Sequence, residues 1–217
     1  MSINRARVCQ FDARISELVR NLCRLYNRER TESDTLLGSS WYPNARAIVR
    51  EWSDSYALPV RTVANVVAAL SPQNEWSRNL IQADDVLAER PLSIRGLMSS
   101  ELKARRMLRE RAEHIREYFP QGPKVFHFAE NLAGCETAVT VDTHAMQAAL
   151  DDVLASYRLA WRPYLVFASA YVRASERCKV SPATFQAIIW HVWKRKHPRA
   201  SKLNARKQWV VIATEDE

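Results

Sequence analysis

The chain has 217 residues, 47% hydrophobic and 26% charged, enough for one sizeable folded domain or two small lobes. Its four glycines exclude a glycine-rich phosphate loop and argue against a turn-rich β-sandwich, which leaves helices with short connections. With 32 Lys and Arg against 24 Asp and Glu the net charge is +8, a balance that attracts polyanions such as nucleic acid or simply keeps a surface soluble.

Cys9, Cys23, Cys135 and Cys178 are far apart and lack CxxC spacing, and His114, His127, His144, His191 and His197 make no HExxH. The expectation is therefore no metal and no cofactor. No stretch reads as a signal peptide or membrane span, so a cytoplasmic location with reduced thiols is expected, and a monomer by default.

In chain order, residues 11–29 place Ile15, Leu18, Val19, Leu22 and Leu25 on one stripe of a helix. Residues 31–40 read as a polar loop. A second helix is expected over 41–56, with Pro43 near its first turn and Ile48, Val49 and Trp52 inward. Residues 60–70 are almost continuously apolar and fit a buried strand or a buried helix; their length and alanines favour helix. Pro72 ends that element, and Asn74 is expected to cap the next, with Trp76, Leu80, Ala83 and Leu87 inward. Gln73 then stands in a link between two helices, a place from which a side chain can face a ligand. Trp76 serves either as core or as a stacking platform.

Residues 102–119 predict a helix with Leu108, Ala112, Ile115 and Phe119 on one stripe. Lys103, Arg105, Arg106, Arg109 and Arg111 crowd its remaining surface, as a solvated face or as positive charge beside the following turn. Gly122 and Pro123 punctuate that turn, and Lys124 follows at once. Val125, Phe128, Ala129 and Leu132 recur at helical spacing, and Gly134 suits the left-handed residue after a helix. After Val139-Thr140-Val141, Asp142 stands as N-cap before a new helix, although Ala145 supplies no capping-box partner. A break over 156–162 precedes a helix opened by Pro163, with Tyr164, Leu165, Ala168, Tyr171 and Val172 inward. Ser181 and Pro182 make an N-cap and first helical residue. Phe185, Ile188, Ile189, Val192 and Trp193 form the core stripe of that last helix. Gln186 and Trp190 fall four apart on another face, to line a ligand site or to pack between helices. From residue 194 to 207 there are seven Lys and Arg and no acid.

The string Val141-Asp142-Thr143-His144, preceded by a proline–glycine turn carrying Lys124, resembles the core of the helix-hairpin-helix DNA glycosylase superfamily, its endonuclease III-like members especially. Two further strings, residues 69–76 and 181–190, are similar to a phage and bacterial branch near the glutamyl/putrescinyl-thymine pyrophosphorylases. The hairpin signature L-P-G-V-G is replaced here by Phe119-Pro120-Gln121-Gly122-Pro123. The resemblance implies an all-α, two-lobed helical domain over residues 1–217. Residues 60–155 or so would form a hairpin lobe, the terminal helices the other lobe, and a cleft with Asp142 at its edge would lie between them.

It further implies a DNA partner. Asp142 would assist cleavage of the N-glycosidic bond of a flipped base, and Lys124 would be an amine nucleophile, a phosphate contact or a plain surface residue. Gly122, Lys103 and Arg106 would meet the DNA backbone. Gln73, Trp76, His144, Gln186 and Trp190 would surround the base. Two alternatives stay open: thymine hypermodification by transfer of an amine or amino acid, and DNA binding without catalysis.

Overall fold

The structure, a computed structural model, describes residues 3–155 and 159–198, with side chains from residue 14 onward. The described residues are all-helical. They form α1 (Ile3–Arg24), α2 (Glu32–Ser55), α3 (Val60–Leu70), α4 (Trp76–Leu87), α5 (Met98–Arg109), α6 (Pro123–Leu132), α7 (Thr143–Leu150), α8 (Trp161–Cys178) and α9 (Pro182–Lys196). A π-helical turn, Leu25–Glu29, follows α1, and a 3₁₀ turn, Ile115–Glu117, follows α5. Part of the predicted 156–162 break, and residues 199–207 of the basic tail, lie outside the described residues.

The chain divides into two compact units, Met1–Trp41 with Val139–Glu217, and Tyr42–Ala138. The expected lobe of roughly 60–155 is thus shifted, and α7 falls with the terminal helices. Its packing explains this: Ala145, Met146, Ala148 and Ala149 are buried in one cluster with residues of α1, α8 and α9.

In the first unit, α1 packs along α8, and α7 packs on α1, α8 and α9. The predicted stripe of α1 is inside: Ile15, Leu18, Val19, Leu22 and Leu25 are all buried. So are Phe185, Ile188, Ile189, Val192 and Trp193 of α9, whose N-terminus is capped by Ser181 accepting from the Thr184 N–H. On α8, Tyr164, Ala168 and Tyr171 are buried, but Leu165 is 48% exposed. The buried face of that helix runs through Tyr164, Phe167, Ala168, Tyr171 and Ala174, which turns position 165 outward.

The polar loop expected over 31–40 is helix instead. Thr31 caps α2: its hydroxyl accepts the Asp34 N–H at 3.1 Å, and Asp34 Oδ2 accepts the Thr31 N–H at 2.9 Å, a reciprocal capping box built with aspartate. Pro43 consequently lies inside the helix rather than in its first turn. Gly38 lets α2 approach α9 closely. A Cβ at that position would stand 2.5 Å from Ile188 Cα and 2.6 Å from Ile188 N. Alanine gains about 1 kcal/mol of helix propensity over glycine, but the obstacle here is backbone. Gly38→Ala is expected to lower stability by about 2 kcal/mol net, read from the urea midpoint; an unchanged midpoint would mean that α9 gives way freely.

Asp34 is 3% exposed, and Arg195 grips it through Nε (3.1 Å to each oxygen) and Nη2 (2.8 Å to Oδ2). Burial pushes this carboxyl up, but the hydrogen bonds from Arg195 and Thr31, with the charge of Arg195, outweigh it and hold it below the ordinary carboxylate range. A folded-state value below the unfolded one gives stability that is complete above about pH 4 and is lost as pH falls through the folded value. Urea midpoints at pH 5 and pH 3 should therefore differ less in Asp34→Asn than in the wild type.

In the second unit, α3 is the central helix, buried from Thr62 to Leu70, and α4, α5 and α6 pack against it. Helix is thus the outcome for the apolar run. Asn74 does not cap α4, whose N-cap is Glu75. Its amide instead donates to the Leu70 carbonyl (3.2 Å) and to Gln82 Oε1 (2.7 Å), tying the two helices together. The buried face of α4 runs through Asn79, Gln82, Ala83 and Val86, which leaves Trp76 and Leu80 half-buried.

The helix expected over 102–119 is interrupted. It starts at Met98 and stops at Arg109, with Ser100, Ala104 and Met107 buried. Arg111 takes φ of 48° and Ala112 N–H returns to the Met107 carbonyl at 2.9 Å, a left-handed helix end without glycine. Asn65 Nδ2 then holds the Ala112 carbonyl at 2.8 Å. Gly134 has φ of 113° and closes α6 as expected, with Cys135 N–H donating to the Glu130 carbonyl at 2.9 Å.

Candidate functional site

The approach to α7 is fixed by one side chain of α8. The Tyr164 hydroxyl donates to the Val139 carbonyl at 2.8 Å and accepts the Val141 N–H at 2.9 Å, so two backbone groups of the 139–141 link are satisfied by one side chain. Asp142 follows as the N-cap of α7. Its Oδ1 accepts the Ala145 N–H at 2.8 Å, the bond that an ordinary cap makes. Its Oδ2 accepts the indole N–H of Trp190 from α9 at 3.0 Å. The carboxylate is therefore aimed by two donors on two different helices, and it remains half-exposed.

Around that carboxylate lie further groups of the same unit. The His144 ring meets Trp190 edge-on at 6.0 Å between centroids, and its Nδ1 is buried with no hydrogen-bond partner. Lys194 Nζ stands 4.2 Å from the centroid of the Trp190 ring, a cation–π contact. Beneath, the Tyr171 hydroxyl donates to the Ala145 carbonyl at 2.9 Å. Burial, and secondarily the charge of Asp142, push this phenol well above its ordinary value, so it stays a donor. Gln186, one turn before Trp190, is buried.

The structure thus gathers Asp142, His144 and Trp190. It adds Lys194, which sequence reasoning assigned only to the basic tail. The usable signal was its spacing four residues after Trp190.

The remaining candidates belong to the second unit. Gln73 is exposed, with φ of 57°, in the link between α3 and α4. Trp76 is half-buried and meets Phe128 edge-on at 6.3 Å. Gly122 closes a turn on the Phe119 carbonyl at 3.0 Å, with φ of −113°, an angle open to any residue. Pro123 opens α6 directly, which puts Lys124 in the first helical turn, half-buried. Lys103 Nζ lies 4.2 Å over the Phe119 ring. Arg106 pairs with Glu110 at 2.7 Å and lies over Tyr118 at 5.3 Å.

Among the described residues no three His, Cys, Asp or Glu side chains stand close enough to hold a metal ion, and no helix is long and apolar enough to cross a membrane. Comparison with curated proteins and with solved structures returns no match. Residues 7–197 match the family described as "Family of unknown function (DUF7178)", which covers most of the chain. The protein belongs to that family.

Proposed function

We propose that the protein is a DNA-binding enzyme that acts on an extruded, modified or damaged base by cleaving its N-glycosidic bond with the help of Asp142. The observation that carries this reading is the double aiming of the Asp142 carboxylate by Ala145 N–H and Trp190 N–H at the start of α7. Each carboxylate oxygen keeps a second lone pair for a ligand. From that position it would stabilise positive charge growing on the sugar as the base departs, and orient the water that adds at C1′. Lys194 beside the indole and the net charge of +8 supply attraction for phosphate.

One observation favours a second reading, DNA binding without chemistry. Both Asp142 oxygens already accept internal hydrogen bonds, so joining α7 to α9 accounts for the side chain without a substrate.

Incubation with duplex and single-stranded DNAs carrying damaged or phage-type modified bases, followed by nucleoside mass spectrometry, separates the readings. Free base with abasic sites is the expected result. An altered nucleoside would transfer the protein to base modification, where the glycosidic bond survives. Salt-dependent binding with no change in any DNA would favour the non-catalytic reading.

A further inference from the structure

We propose that the phosphate backbone of DNA is held by the terminal unit, at the end where the π-helical turn after α1 meets the last turn of α9. This surface rests on the DNA-binding reading of the Asp142 site, and it replaces Lys103, Arg106 and Gly122 as the backbone contact. Charge divides unevenly between the two units. Met1–Trp41 with Val139–Glu217 holds 19 Lys and Arg against 12 Asp and Glu, an excess of +7, whereas Tyr42–Ala138 holds 13 against 12, an excess of +1. Attraction for a polyanion therefore belongs almost wholly to the terminal unit. In Tyr42–Ala138 the cations are also spent locally. Arg46 pairs with Glu136, Arg61 with Glu130, Arg90 with Asp84, Arg105 with Glu101 and Arg106 with Glu110. A guanidinium already engaged by a carboxylate must give up that pair to meet a phosphate.

The terminal unit leaves cations over at one place. Arg195 Nη2 donates to the Glu29 carbonyl at 2.7 Å and Lys196 pairs with the Glu29 carboxylate, which brings residues 28–30 against residues 194–196. Arg24 joins them, 3.6 Å from Glu29 and 2.8 Å from Asp151. Arg24, Arg195 and Lys196 are thus matched by Asp151, Asp34 and Glu29. Arg28, Arg30 and Lys194 are exposed and have no carboxylate at ion-pair distance among the described residues. Exposed Glu32 offsets only one of the three. Arg30 stands 3.9 Å over the Tyr26 ring, as Lys194 stands 4.2 Å over Trp190. A ring face positions a cation without a counter-anion, so its N–H groups stay open to phosphate. Lys194 shares Trp190 with Asp142, which puts a phosphate held there beside the candidate site. The sequence extends the same bias, with Arg199, Lys202, Arg206 and Lys207 before the next acid, Glu215.

The test follows binding of a labelled duplex oligonucleotide to the full chain by anisotropy, across a salt series. Arg28→Gln/Arg30→Gln/Lys194→Gln should flatten the slope of log affinity against log salt by about 2–3 and weaken binding at low salt by about 10–100-fold. Its urea midpoint should match the wild type. The charge-keeping variant Arg28→Lys/Arg30→Lys/Lys194→Arg should keep the wild-type slope, which a merely structural role for these side chains does not predict. Lys103→Gln/Arg106→Gln/Lys124→Gln should also keep it. A wild-type slope in the first variant, or a flattened one in either of the others, would overturn this surface while DNA binding stands. No binding of the wild type to any DNA at low salt would overturn the DNA reading and this surface together. Loss of base release at an unchanged slope would bear on Asp142 alone and leave the surface in place.

Discussion

Replacing Asp142 by Asn is expected to reduce base release by about 10²–10⁴-fold while leaving DNA affinity within a few-fold of the wild type. The size follows from removing the charge at the atom that, in the proposed reaction, faces the sugar. Asn remains a good N-cap, so its oxygen still accepts the Ala145 N–H. Its amide, however, would present N–H groups to the Trp190 indole N–H, two donors facing each other, where the aspartate has an acceptor. Some stability is therefore lost as well, about 1–2 kcal/mol, and the two effects need separating. Trp190→Phe does this, because it removes the same donor while the carboxylate stays. If Asp142 acts chemically, Asn lowers turnover by that factor and the Trp190 variant mainly lowers the melting temperature. If both variants lose stability alike and neither changes any reaction, Asp142 is a structural joint between α7 and α9.

Trp193→Ala should destabilise the protein by about 3–5 kcal/mol, enough to threaten folding at 37 °C. Trp193 is 1% exposed and is the largest fully buried side chain among the described residues. Its indole N–H also donates to Gln147 Oε1 at 3.2 Å. That glutamine in turn gives both amide hydrogens to the carbonyls of Val153 (2.9 Å) and Ala155 (3.0 Å), which fixes the chain leaving α7. Truncation thus opens a cavity and also leaves Gln147 Oε1 without its donor in a buried network. Trp193→Phe separates the two, keeping most of the volume while losing the donor, and should cost about 1–2 kcal/mol. Equal urea midpoints for the wild type and Trp193→Ala would show that the site collapses without loss.

The regular part of this fold was legible because it rests on spacing. The stripes of α1 and α9 were readable in full, as were the Ser181-Pro182 start and the Gly134 stop, since each is a local pattern with a local cause. The misreadings share a different origin. Thr31 and Asp34 cap a helix whose next residues look polar, and the burial of Asp34 depends on Arg195, far along the chain. Arg111 ends α5 in a left-handed conformation that glycine would have announced and arginine does not. Asn74 had the right chemistry for a cap and spends it on Leu70 and Gln82 instead. At the site, Asp142 was legible as an N-cap from its place in the chain. The second donor was not, because Trp190 reaches it only once α7 and α9 are packed.

The division of the chain has a bearing on how it comes off the ribosome. Unit Tyr42–Ala138 is a single unbroken segment. All of its partners exist once that segment has emerged, and domains generally fold as units during synthesis. The other unit is assembled from both flanks of that segment. Until α8 and α9 have been translated, the apolar stripe of α1 has only the short α7 to close against. Nascent chains halted after α7 should therefore present a finished middle and a first helix still largely uncovered, the species a chaperone would hold.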